Sequence, residues 1–265
     1  MAPRYVTSEK IFVVLPTYNE GENVSRLIPI ILKKGANIKV LVVDDNSPDG
    51  TSKIVAEMAE GNERIFLLNR PGKLGLGTAY VAGFKWVLAH SDAKYIFEMD
   101  ADFSHNPDRI PDFIRKMKEG YDVVIGSRYL KGVSVVNWPI RRLMLSYLAS
   151  RYARFVTGIP LNDQTSGYKC FRREVLEKLD LNQVVSDGYA FQIEMNYLAF
   201  KQGYQLTETP IIFEERRAGA SKISREIVRE AMWVVWRLRL NGLLNRGKVA
   251  SSKKVSDHKY GSVRN

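Results

Sequence analysis

The chain has 265 residues, 45% hydrophobic and 26% charged, with no low-complexity tract and no internal repeat. That is enough to bury one full core and excludes a disordered or fibrous chain. The 40 Lys and Arg exceed the 29 Asp and Glu by a formal +11. Such an excess implies an anionic partner (nucleic acid, an anionic membrane surface or a phosphorylated substrate) or, more blandly, solubility conferred in part by the basic tail 247–265.

Apolar runs and helical patterns alternate through the first half. Residues 11–15 form a short apolar run that Pro16-Thr17-Tyr18-Asn19-Glu20 breaks. A helix is expected over 22–33, where Val24, Leu27, Ile28 and Ile31 recur at helical spacing. A second run, 40–43, ends in Asp44-Asp45-Asn46-Ser47-Pro48-Asp49-Gly50, with a helix expected over 51–59. A third strand at 65–68 precedes the glycine-rich stretch 71–77 and a helix over 79–88. The fourth strand, 95–99, stops at Asp100, and 123–125 is a fifth. Repeated strand–helix units predict an α/β fold, a Rossmann-like and mostly parallel sheet flanked by helices.

The second half reads differently. Residues 138–156 alternate large apolar residues with Arg141, Arg142, Arg151 and Arg154, as one or two basic amphipathic helices. A helix follows Phe171-Arg172-Arg173, 191–201 is helical, 208–215 is extended, and 225–240 is a last helix rich in Trp and Val. Without a clear linker, the reading is one catalytic domain over 1–245, with basic helices near 138–156 and 225–244, and a polar disordered tail at 246–265.

In such sheets ligands bind outside the carboxyl ends of the strands. The polar clusters 17–20, 44–47 and 100–104 each follow an apolar run, so three separate stretches converge on one rim. Asp100 and Asp102 are one residue apart, and two close carboxylates repel unless a cation lies between them. Mg²⁺ or Mn²⁺ suits oxygen ligands and would also hold a diphosphate. Asp-x-Asp alone is a common tripeptide; its place on the rim favours the metal reading over two solvated loop carboxylates. His105 is read as a surface residue ahead of Asn106-Pro107 rather than a ligand. The glycines of 71–77 lack the Walker and dinucleotide spacings and are read as a close-packed turn beside the ligand. No zinc constellation and no Ser/His/Asp or Cys/His grouping is evident.

An ordered set of motifs resembles glycosyltransferase family 2 with the nucleotide-diphospho-sugar transferase (GT-A) fold and, within it, the polyprenol (dolichol) phosphate mannose synthases. The set comprises Leu15-Pro16-Thr17-Tyr18-Asn19-Glu20, residues 43–51, 73–80 and 99–107, Gly126-Ser127-Arg128-Tyr129, Thr165-Ser166-Gly167-Tyr168 and Arg216-Arg217-Ala218-Gly219-Ala220-Ser221-Lys222. The resemblance implies that Pro16, Tyr18, Glu20 and Asp45 hold the donor nucleoside. It implies that Asp100, Ala101 and Asp102 hold the metal and donor diphosphate. Ser104 stands where the family often has a glutamine ligand, as a weak or water-mediated third ligand. Arg128, Arg142 and Ser146 match positions that grip an acceptor phosphate, and Arg216, Ser221 and Lys222 match a loop that closes near the donor phosphates. Asp102, Arg128, Arg216 and Lys222 are thus the catalytic set, Mg²⁺ or Mn²⁺ the cofactor, and GDP-mannose and a polyprenyl (dolichyl) phosphate the substrates, with a UDP-glucose donor or another family 2 reaction as alternatives. Arg142 and Ser146, at i and i+4, share one helical face independently of the resemblance.

The single cysteine, Cys170, cannot form an internal disulfide, so the chain is read as cytosolic and the thiol as packed. Residues 1–10 lack a signal-peptide core. The best apolar stretch, 231–244, falls short of the ~20 residues a span needs and is broken by Arg237 and Arg239, so none is expected. Residues 138–155 and 232–244 either lie in a membrane interface, as a peripheral protein on the cytoplasmic face would require, or pack their tryptophans on the sheet. Recruitment by a membrane-anchoring partner protein is a further route. A nucleic-acid-binding module would also suit the +11 charge, but no recognition motif accompanies it and the rim carboxylates would repel phosphate.

Overall fold

The computed structural model describes residues 8–136, 138–214 and 233–240. At the sheet's centre β1 (Ile11–Thr17) pairs in parallel with β2 (Ile38–Asp44) and β4 (Tyr95–Glu98), and β3 (Ile65–Asn69) lies outside β2. These strands are apolar almost throughout because helices cover both faces. Ile11, Val13 and Leu15 pack towards α1 (Gly21–Leu32), α2 (Thr51–Glu60) and α4 (Ile110–Lys118). Phe12 and Val14 pack towards α3 (Leu76–His90) on the other side. That alternation is the two-residue period of a strand. The chain runs outward through β2 and β3 and returns to β4 across β1, so the strand order reverses at the β1/β4 crevice, where open α/β sheets bind ligands.

The second half departs from the parallel repeat. Strand β7 (Lys169–Arg172) lies antiparallel between β4 and β5 (Val123–Ser127), and β8 (Leu206–Pro210) closes the edge parallel to β5. Periodicity gives no strand direction, so this reversal was not foreseen. Cys170, in β7, is fully buried and burial pushes its thiol far up, as a packed thiol should be. Strands β6 (Val135–Val136) and β9 (Phe213–Glu214) form a separate two-stranded sheet.

The basic segment forms one helix, α5 (Ile140–Thr157), followed by α6 (Arg173–Lys178) and α7 (Gly188–Lys201). Ala153 and Val156 of α5 and Val235 of the helical stretch 233–240 pack against Ile193 of α7. Helix α3 starts three residues ahead of its apolar pattern because Gly75 takes a positive φ of 101°, open to glycine at little cost. Further along α3, a Cβ on Gly83 would lie 2.5 Å from a Val14 methyl, so the absent side chain lets the helix press onto β1. The expected tail 246–265 and the first half of the expected last helix 225–240 lie outside the described residues.

Candidate active site

The loops after β1, β2 and β4 meet at the crevice, and each contains a non-glycine residue with positive φ: Asn19 at 60°, Asn46 at 57° and Phe103 at 65°. Asparagine tolerates this region; a phenylalanine there is an outlier held by its surroundings. The bend at Phe103 turns Ser104 back on Asp102, whose Oδ1 accepts from the Ser104 amide (3.0 Å) and hydroxyl (2.6 Å). Ser104 therefore orients Asp102 in this structure.

Asp100 is supported from two sides. The buried Tyr80 hydroxyl of α3 donates to its Oδ1 at 3.0 Å. Burial, then the Asp100 and Glu98 charges, push that phenol far up, so it stays a donor. The Asp100 amide donates to His105 Nδ1 at 3.0 Å. His105 is only 2% exposed and stacks on Tyr168, which corrects its reading as a surface residue. Burial lowers its pKa, and a ring that accepts through Nδ1 is neutral. Beneath the loop, Lys169 donates to Glu98 at 3.0 Å and to the Gln192 side chain of α7. Burial pushes Glu98 up to about 7 and Lys169 below the ordinary lysine range, against their mutual attraction.

Among the described residues no group of three or more His, Cys, Asp or Glu converges as a cage. Two carboxylates on one loop are a donor set that Mg²⁺ or Mn²⁺, which keep waters and phosphate oxygens among their ligands, accept. Asp100 and Asp102 fit such an ion.

On the nucleoside side, Asp44 folds inward to accept from Thr17 and Ser47, whose hydroxyl in turn accepts from the Asn19 amide. Asp45 faces the other way: its Oδ2 accepts from the Leu74 amide at 3.1 Å and its Oδ1 lies 3.2 Å from Arg70. Burial raises the Asp45 pKa, countered by that amide and Arg70. Tyr18 is partly exposed, with the Lys73 ammonium 4.3 Å from its ring centroid. Gly77 donates to Asp187, and a Cβ there would lie 2.5 Å from the Ser186 carbonyl, so the stretch 71–77 packs closely at its end, while Gly72 faces open space.

The opposite side of the rim is basic. Arg128, just after β5, is 3% exposed. Its Nε and Nη2 donate to the two oxygens of Asp163, each at 2.6 Å, and Nη2 also reaches Thr165. Against the effect of burial, the Arg128 charge and hydrogen bonds hold Asp163 below the ordinary aspartate range. Glu208 of β8 fixes the preceding turn by accepting from the Asn162 and Asp163 amides. Arg142 lies 4.3 Å and Arg128 5.3 Å from the Trp138 ring centroid. Trp138 meets Phe213 edge-on, and Phe213 in turn meets His105. Ser146 is buried on the inner face of α5.

The crevice thus brings Pro16, Tyr18, Glu20, Asp45, Asp100, Ala101, Asp102 and Ser104 to one side and Arg128, Arg142 and Ser146 to the other. Arg216, Ser221 and Lys222 lie outside the described residues. Sequence reasoning missed Tyr80, Asp163, Trp138 and Phe213. The signals available were slight: Tyr80 ends the motif 73–80, Trp138 opens the basic segment 138–156, and Asp163 stands two residues ahead of Thr165-Ser166-Gly167.

A sequence model described as Glycosyl transferase family 2 matches residues 12–180. The chain is 43% identical over 242 residues to a polyprenol monophosphomannose synthase of Mycolicibacterium smegmatis, covering 91% of each. It is 40% identical over 223 residues to an undecaprenyl-phosphate mannosyltransferase of Micrococcus luteus, covering 84% of this chain and 91% of that one. Among solved structures it is similar to glucosyl-3-phosphoglycerate synthase of Mycobacterium tuberculosis with Mn²⁺, UDP and phosphoglyceric acid, at a TM-score of 0.66 and 18% identity, covering 88% and 79% of the two chains. It is also similar to a mannosyltransferase of Pyrobaculum calidifontis with GDP-Man and Mn²⁺, at 0.53 and 17%, covering 98% and 84%. These structural likenesses bear on the fold, which is GT-A.

Proposed function

The chain belongs to glycosyltransferase family 2, and on that premise we propose that it transfers mannose from GDP-mannose to a polyprenyl phosphate. The observation that carries this reading is the pairing, across one crevice, of the acidic Asp100–Asp102 loop with the basic Arg128–Trp138–Arg142 side. The first suits a metal-bound donor diphosphate and the second an acceptor phosphate. The similarity to the two mannosyltransferases above supports the choice of sugar and lipid.

In this reading Pro16, Tyr18, Glu20 and Asp45 seat the nucleoside, and Asp100 and Asp102 hold Mg²⁺ or Mn²⁺, with Ser104 orienting Asp102. When bound, the ion offsets the charge that develops on the departing diphosphate. Arg128, Arg142 and Ser146 aim the acceptor phosphate at the anomeric carbon. One of its oxygens forms the new bond on the face opposite the breaking C–O bond, and GDP leaves with the bonding electrons, inverting that carbon. A phosphate monoester has its second pKa near ~6, so the nucleophile arrives ionised and no general base is required. Arg216 and Lys222 complete the charge neutralisation. Catalysis rests on positioning and electrostatics.

The lipid substrate requires a membrane surface. Ile140, Met144, Leu148 and Phe155 of α5 and Trp236 and Leu240 of the stretch 233–240 are exposed, and Trp233 is 64% exposed. Arg141, Arg151 and Arg154 lie among them, also exposed. No helix among the described residues is long and apolar enough to cross a membrane. This basic, apolar surface suits peripheral binding to anionic lipid at the cytoplasmic face. The double variant Trp233→Ser/Trp236→Ser should lose most co-sedimentation with phosphatidylglycerol vesicles while keeping its melting temperature; undiminished sedimentation would refute this face.

The decisive assay combines purified protein, Mg²⁺ or Mn²⁺, a polyprenyl phosphate and either GDP-mannose or UDP-glucose. Lipid-linked mannose is the expected product. Glucose transfer in its place would replace the donor, and no transfer with either donor would overturn the reading.

A further inference from the structure

The acceptor side contains hydrogen-bonding capacity that the described residues do not use. Trp138 Nε1 is buried without a hydrogen-bond partner among the described residues, although a buried indole N–H ordinarily finds one. The same ring lies 4.3 Å from the Arg142 guanidinium and 5.3 Å from that of Arg128. Helix α5 begins two residues later, with Pro139 at its N-cap and no side chain capping the first turn. The Arg142 and Leu143 amides both turn back to the Pro139 carbonyl, and the positive end of the helix dipole lies at this end of α5. Asp163 takes Nε and Nη2 of Arg128, and Nη1 takes part in neither bond. An unpartnered donor, two guanidiniums and an uncapped helix start together lack one component, an anionic acceptor.

We propose that Trp138 is a phosphate-binding residue of the acceptor site: its Nε1–H donates to the acceptor phosphate while its ring holds the Arg142 guanidinium in place. This rests on the acceptor reading above and adds a specificity device to it. An indole N–H is a fixed, neutral donor, so it selects for an oxyanion without adding a third charge to bury. Arg142, stacked on the ring, loses less freedom when it binds. Phe213, edge-on to both Trp138 and His105, joins this residue to the loop of Asp100.

Two variants and one spectrum test the assignment on the full chain, with water-soluble citronellyl phosphate as the probe. Trp138→Phe keeps a ring under Arg142 and removes only the N–H. It should weaken citronellyl phosphate binding about tenfold and raise its KM, with GDP affinity and melting temperature unchanged. Trp138→Ala should weaken binding further. In the wild-type protein, which has four tryptophans, one indole N–H resonance, missing from Trp138→Phe, should move downfield on titration with the probe. Wild-type binding of the probe by Trp138→Phe, or a Trp138 resonance that does not move, overturns the role of Trp138 and leaves the acceptor reading standing. A wild-type protein that does not bind the probe overturns both.

Discussion

The two sides of the crevice are built by different means. On the donor side Asp44, Asp49 and Asp102 each accept from a residue two or three positions on, Ser47, Thr51 and Ser104, and adjoining loops brace them further, with Thr17 donating to Asp44 and Leu74 to Asp45. On the acceptor side the guanidinium of Arg128 is set by Asp163, 35 residues on, and the Asp163 turn by Glu208, a further 45. One side is a series of local turns at strand ends. The other is a tertiary assembly that exists only once β5, β7 and β8 have paired. Substitutions on the donor side should therefore act on ligand binding with little effect on the fold, and those in the buried Arg128–Asp163 pair on both.

The largest effect expected is at Asp102. Asp102→Asn keeps an oxygen for Ser104 and removes the charge, so the loop should hold its shape while the metal loses a ligand. Turnover should fall at least about 100-fold, with Mn²⁺ affinity, read by calorimetry, falling in parallel and the melting temperature unchanged. Retained turnover would remove Asp102 from the reaction.

The same contrast accounts for what the sequence disclosed. Asp100-Ala101-Asp102 and residues 44–47 were legible because their chemistry lies in one short stretch after an apolar run, whatever braces it from elsewhere. The central parallel strands were legible because burial on both faces leaves an unbroken apolar signature. The direction of strand β7 was not legible, because it depends on which neighbours the strand pairs with. His105 looked like a surface residue because no local pattern shows that Tyr168 and Phe213 will close over it. Arg128 was found only through motif resemblance, and its partner Asp163 not at all.

Asp163→Asn tests the acceptor side. Removing one member of a buried ion pair leaves the other charge uncompensated and costs about 3–5 kcal/mol, measurable by urea unfolding. The acceptor KM should rise while GDP affinity holds. The pair also sets a pH dependence. Asp163 is held below its ordinary value of 3.8 in the folded chain, so it adds stability that is fully present above that value. That stability is lost as pH falls towards the depressed one. The variant should lack this part of the acid-side slope. If GDP affinity fell as far as acceptor affinity, the two sides would not be separable units.

The smallest and most discriminating effect is expected at Tyr80, which supports Asp100 from α3. Tyr80→Phe removes the hydroxyl that donates to Asp100 and leaves the ring stacked on Phe191, with centroids 5.8 Å apart and planes 4° from parallel. The helix, its contact with β1 through Gly83 and the core around Phe84 should all persist, so unfolding should change little. What changes is the orientation of one carboxylate of the proposed metal site. Loss of such an outer partner typically weakens metal binding 10- to 100-fold, and about tenfold is expected here because the Asp100 amide remains anchored on His105. The sign matters more than the size. Weaker Mn²⁺ binding means that the phenol holds Asp100 ready for the ion. Tighter binding would mean that the phenol competes with the ion for Oδ1, and that α3 must shift when the donor binds, making the donor side as dependent on tertiary structure as the acceptor side.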